Sequence, residues 1–309
     1  MNRKYMKFTQ LTRVTQILLL VAGCSIFSVA SALDYIDAER TVQWQKLDYH
    51  ASKFFLTAES TVTVDKKPAR DILEDLVPSD KYEVLKPKGE SVFIVTTDTD
   101  NFGTRTRYTM WFDSDATILQ RLKVRTGDDN DIKLYRHTPD GYLDFRKGFN
   151  GKKFSVDLKK IAGYHHSFKP YSDKKKLNEN VTESTAFLYL VGMLDFKNKG
   201  DMAQFTVSSR GKLANVKLLV KGRQKLYADY KVVTGNSNHH VKGDRDVLRI
   251  AVLPVNAAGK PVKNMKLMGV QGRLYLYLDV ENRLLLQITG EAKVLGDIDI
   301  KLGKAVKTQ

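Results

Sequence analysis

Two histidine pairs, His165-His166 and His239-His240, are the residues of this 309-residue chain whose type most readily suggests chemistry. Imidazole is the common ligand for zinc and copper. A metal site also needs a third ligand at a usable spacing. Both pairs sit in polar sequence, and neighbouring residues of a strand point to opposite faces, so neither pair makes a site by itself. The stretch DTDNFG, Asp98 to Gly103, opens like a calcium loop but has Phe102 at position five and no glutamate to close it. It reads as a hairpin turn, and so does GDDND at 127–131. Asp244 and Asp246 alternate with Arg245 in a strand pattern and read as solvated carboxylates. Nucleophile elbow, phosphate loop, HExxH and CxxC are all missing. The expectation is a non-enzymatic protein with no metal and no cofactor.

Lys174, Lys175 and Lys176, close to Lys169, form the densest cationic cluster. Runs of like charge usually face water. Their functional reading is a contact for anionic head groups beside the segment that follows. That segment, VTESTAFLYLVGMLDF at 181–196, predicts a helix. Asn180 with Glu183 three residues later fits a capping box, and Phe187, Leu190, Val191 and Leu194 recur at helical spacing. Apolar nearly all round, it is expected to be buried on more than one side. Its two readings are a core element and a lid over a ligand cavity lined by those four residues.

The elements that must position these residues are mostly strands. SVFIVTTDTD, TRTRYTMWFDSD, ATILQRLKVRTG and DIKLYRHTPDGYLDFRKG follow one another with turn-forming separators. Imperfect alternation of Ile118, Leu122 and Val124 predicts a bulge. A short helix is expected between Pro68 and Pro78. At the C-terminal end, Leu274, Leu276 and Leu278 alternate with Tyr275 and Tyr277, and Ile298, Ile300 and Leu302 with acidic and basic residues. Period-two alternation buries one face and wets the other. The fold class is therefore mostly β: a curved antiparallel sheet or open half-barrel meander with one inserted helix. A membrane-spanning barrel is not expected, because charges lie inside strands such as TRTRYTMWF.

The N-terminus reads as an export signal. Arg3, Lys4, Lys7 and Arg13 precede the apolar run ILLLVAGCSIFSVA and the cleavage pattern Ala30-Ser31-Ala32. Cleavage after Ala32 leaves a single β-rich domain, 33–309, located in the periplasm. The alternative is lipidation at Cys24, which would anchor the protein to a membrane. Residues 1–32 carry four basic and no acidic residues, so the mature chain keeps +12 of a formal +16. The one cysteine lies in the signal, which leaves no disulfide framework. In an exported protein the basic balance points away from nucleic acid; its first reading is a well-solvated cationic surface, and its second a contact with lipid phosphates, lipopolysaccharide or acidic glycans.

The stretches STAFLYLVGMLDF and GRLYLYLDVENRLLLQITG…LGDIDIKL resemble a bacterial envelope family of unknown function, domain family 3108. In that family's closing pattern a strand, an acidic turn and a second strand lead to a glycine and a last strand. Asp279 matches the acidic turn residue and Gly296 the glycine, while Tyr277 replaces a common tryptophan and Leu285 a common proline. The resemblance implies an exported β-rich protein and carries no activity. Two functions follow as expectations: binding of an apolar or anionic envelope ligand such as a lipid, or assembly through a protein partner. An enzyme acting on envelope glycan or lipid is the remaining reading.

Overall fold

A computed structural model describes residues 42–53, 56–101, 104–127, 130–149, 156–172, 180–209, 212–256, 258–262, 265–293 and 295–308. Ala32, Cys24 and Lys174–Lys176 lie outside them. The described residues belong to one compact unit that is 66% strand and 9% helix.

Fifteen strands form one sheet. In chain order they are β1 (Trp44–Lys53), β2 (Leu56–Pro68), β3 (Ser91–Asn101), β4 (Thr104–Asp113), β5 (Ile118–Thr126), β6 (Asp131–Thr138), β7 (Gly141–Gly148) and β8 (His166–Pro170). Then come β9 (Val181–Thr182), β10 (Met202–Ser209), β11 (Lys212–Thr234), β12 (Ser237–Val255), β13 (Gln271–Asp279), β14 (Leu285–Ala292) and β15 (Gly296–Lys307). The spatial order runs β8 to β1, then β15 to β9. Two chain-order meanders thus meet where β1 pairs with β15.

The sheet is mostly antiparallel, as expected, with two parallel pairings that make it mixed. β9 pairs parallel with β10, and Lys231–Val233 of β11 pair parallel with Lys304–Val306 of β15. The second pairing closes β11 to β15 into a ring. It requires the long β11–β12 hairpin to bend. A register shift between Val220 and Gly222 and the positive φ of Gly222 and Gly243 supply that bend, since a side chain is disfavoured at such angles. At the other end Ser172, just past β8, bridges to Lys212 at the start of β11. The expected bulge in β5 is present: Trp111 and Phe112 face Gln120 and Ile118, leaving Leu119 extra.

The inner face is defined by α2 (Phe187–Met193), which is shorter than the expected 181–196 helix. Val181–Thr182 is strand, and Ser184–Ala186 is a 3-10 turn. The capping box does not form, because tertiary partners take both side chains. Asn180 donates to Asp115, and Glu183 pairs with Arg121. Tyr189 packs on Phe93 and Phe112, and Phe187 on Phe205, so α2 bridges the two meanders. It is not the single helix expected; α1 (Leu158–Ile161) is a second short one. The 68–78 segment forms a 3-10 helix, Ala69–Asp75. This segment covers a second apolar cluster on the outer face, around Trp111, Leu122, Leu134 and Phe145. Buried Arg136 holds it there by donating to the carbonyls of Val77, Leu85 and Leu119.

The closing strands behave as their alternation predicts. Leu274, Leu276, Leu278, Ile300 and Leu302 are buried, whereas Ile298, expected with them, is only half-buried, as are Tyr275 and Tyr277. Asp279, wholly buried, accepts from Glu281 N, Asn282 N and Arg245 and so fixes the β13–β14 turn. Gly296 takes a positive φ at the entry to β15.

Candidate functional site

Strand register assembles a row on the inner face that no local motif announces. Directly opposed residues run Ala305, Leu47, Val62, Thr97, Tyr108, Lys123, Lys133 and Arg146, across β15, β1, β2, β3, β4, β5, β6 and β7. The first four are buried and apolar or nearly so. At Tyr108 the chemistry changes, and three cations follow in consecutive strands. Opposed residues on one face have Cβ atoms about 5 Å apart, and like charges there destabilise the sheet. Such a row therefore needs an account.

The next row holds Val95, Met110, Arg121, Tyr135, Asp144 and Ser167. Arg121 lies over Tyr108 at 4.8 Å and Tyr135 at 5.5 Å, a cation–π arrangement. Its Nη1 sits 3.1 Å from Glu183, while its Nε is buried with no hydrogen-bond partner among the described residues. Burial pushes the Glu183 carboxyl up, against the pull of Arg121. Asp144 is held by Arg146 at 2.6 Å.

Lys123 is the least satisfied member. Among the described residues its nearest carboxylate is Asp131 at 4.0 Å, and Asp131 also serves Lys133 at 2.9 Å and Arg125 at 2.8 Å. The side chain is only 20% exposed. Burial lowers its pKa, Asp131 opposes this, and Lys133, Arg125 and Arg121 lower it further. Asp131 is held below the usual carboxylate range; burial pulls the other way, and Lys133, Lys123 and Arg125 outweigh it.

The residues singled out from sequence fall elsewhere. Phe187, Leu190, Val191 and Leu194 are each 0–1% exposed, so not even water reaches them. They fill the interior of the sheet, and a ligand touching them has to displace them. His166 packs on the Phe145 ring, and His240 Nε2 lies 2.5 Å from Asp229. No group of three metal-donor side chains occurs among the described residues. Asp98, at the expected hairpin, binds Arg105 and Arg107, and Asp246 pairs with Lys225. An open pocket of about 670 Å³ lies across β1–β4, lined by Lys46, Asp48, His50, Glu59, Asp98 and Arg105. Two of its carboxylates are already neutralised, Asp98 by arginines and Asp48 by Lys46 at 3.2 Å.

The cationic row was visible in sequence only as R-L-K-V-R at 121–125 and K-L-Y at 133–135. Alternation places those cations on one face; only register sets them opposite one another. Among proteins of known family, curated function or solved structure, none matches this chain. The functional reading rests on the residues themselves.

Proposed function

We propose that the protein is an exported, non-enzymatic component of the cell envelope that binds an anionic envelope ligand on the inner face of β4–β7. The observation that carries this reading is the in-register row Lys123, Lys133 and Arg146 beside Tyr108. Asp144 and Asp131 offset Arg146 and Lys133, while Lys123 stands 4.0 Å from the carboxylate it shares, and an anion at that face supplies the missing partner. The apolar-ligand reading has less support, because α2 occupies the interior that such a ligand would need. Export is supported by the basic and apolar N-terminal pattern with its Ala30-Ser31-Ala32 ending.

The test is co-sedimentation of the purified full chain with anionic and with zwitterionic vesicles. Binding restricted to anionic vesicles, weakened by salt and abolished by Lys133→Glu, is the expected result. Equal binding to both vesicle types would remove the reading. N-terminal sequencing of protein recovered from cells tests export: a start at Leu33 supports a periplasmic form, and a lipidated Cys24 supports the anchored alternative.

A second reading, assembly through a protein partner, draws on the β12 edge. β13 pairs with β12 only over Val247–Val252, so the Ser237–Asp246 edge carries no strand partner on that side among the described residues. Lys242, Asp244 and Arg245 stud this edge, a placement that ordinarily discourages strand addition. The anion-binding reading is therefore preferred.

A further inference from the structure

We infer that Lys123 and Lys133 form a site for a phosphate-class dianion. This rests on the anion-binding reading above and names the ligand chemistry for it.

Geometry comes first. The two ammonium groups project from directly opposed positions of adjacent strands, β5 and β6. Their stems start about 5 Å apart, and each head offers three donors. Asp131 reaches Lys133 at 2.9 Å but Lys123 only at 4.0 Å. A planar carboxylate on a short stem does not bridge the pair evenly. A tetrahedral oxyanion, larger and with oxygens on every side, presents acceptors to both heads at once. Lysine serves such ligands as a point charge and needs no planar partner.

Charge comes second. Lys123 faces Lys133 across the strands and has Arg121 and Arg125 on its own strand. Arg121 is engaged by Glu183 and Arg146 by Asp144. One carboxylate, Asp131, is shared between the two opposed lysines. Asp131 is divided among Lys133, Arg125 and Lys123, so the lysine pair keeps more than one uncompensated charge; a single negative charge leaves part of it unmet, and a double charge meets it. Phosphomonoesters and diphosphates carry close to two charges or more near neutral pH. Carboxylates and phosphodiesters carry one per group.

Support comes third. Tyr108 stands next in the row, with its ring 6.0 Å from Lys123 Nζ, and Arg121 covers the same ring. Neither lysine sits on a loop, so the donors are pre-positioned.

Calorimetric titration of the full chain with inorganic phosphate, pyrophosphate and acetate tests the chemistry. Vesicles doped with phosphatidic acid or with phosphatidylglycerol separate a lipid headgroup from a free ion. The expected result is binding of pyrophosphate and phosphatidic acid, with acetate and phosphatidylglycerol much weaker. Lys123→Gln should weaken both tight interactions about tenfold, the loss of one charged hydrogen bond. Lys225→Gln, on an exposed lysine paired with Asp246 elsewhere, should leave them unchanged. If Lys123→Gln does not fold by circular dichroism, Lys133→Gln decides. Phosphatidic acid binding without pyrophosphate binding assigns the site to a lipid headgroup; binding of both assigns it to the phosphate itself. Phosphatidylglycerol bound as well as phosphatidic acid, and lost in Lys123→Gln, would overturn the dianion while leaving the anionic face standing. No binding of any anion, or unchanged binding by both lysine variants, would overturn both.

Discussion

The guanidinium of Arg283, in the β13–β14 turn, donates to the carbonyl of Leu194, just past the end of α2, at 2.5 Å. The same side chain reaches the carbonyls of Val191, Gly192 and Phe196. The last carbonyls of a helix have no partner within it, and a cation there also meets the negative end of the helix dipole. One arginine thus ties α2 to the closing hairpin, and it accepts a positive φ of 53° to do so.

Removing that tie has a cost in stability. Arg283→Ala should destabilise the protein by about 2–4 kcal/mol, because several buried carbonyls lose a charged donor. Equilibrium urea unfolding measures it. A change under 0.5 kcal/mol would show that water replaces the guanidinium.

Leu190 separates the core role of α2 from a ligand role. Leu190→Ala should cost about 2–5 kcal/mol as a cavity forms in the packed interior. Anion binding by the remaining folded protein should be unchanged. Parallel loss of binding and of no stability would instead place a ligand against the helix.

Lys123 should trade stability against binding. Lys123→Met relieves repulsion from Lys133 and should raise the urea midpoint, by roughly 0.5–1 kcal/mol in free energy. The same variant should bind pyrophosphate more weakly. A less stable variant would mean that Lys123 is a net structural asset in the free protein.

His137 gives a pH dependence of definite sign. The ring is wholly enclosed, its Nδ1 pairs with the Tyr171 hydroxyl, and its Nε2 has no partner among the described residues. Burial, with Arg136 and Arg121 adding to it, lowers its pKa from 6.5 to about 3. Below pH 6.5 the unfolded chain takes up a proton that the folded chain refuses, so stability falls until the pH nears 3. Each unit is worth about 1.4 kcal/mol, hence about 2–3 kcal/mol between pH 6.5 and 4.5. Glu183 has the opposite slope just above its ordinary value of 4.5, since its folded pKa is raised. Asp98 and Asp131, held low, lose their contribution only as the pH falls below 3.8. Calorimetric melting of His137→Gln beside the parent isolates the imidazole: the gap between the two curves should narrow steadily on acidification from pH 6.5. A constant gap would show that His137 titrates alike in both states.

Much of the fold could be read along the chain. Leu274, Leu276, Leu278, Ile300 and Leu302 alternate and are buried as alternation requires. The β5 bulge followed from broken alternation; the backbone N–H groups that Asp279 accepts from were shown only by the structure. The capping box failed because Asn180 and Glu183 found better partners in Asp115 and Arg121, 65 and 62 residues away. Local preference is worth about 1 kcal/mol at such a position, and a buried charge pair outweighs it.

The sequence by itself determined the strands, their turns, which side of each is apolar, and the cationic excess, because these are one-dimensional periodicities and counts. Tertiary structure decided that α2 fills the interior, that β11 closes on β15, and that Lys123, Lys133 and Arg146 stand in one row. The reason is physical: a strand fixes which face a side chain takes within two residues, whereas the neighbour it faces depends on register, set by bulges and distant packing.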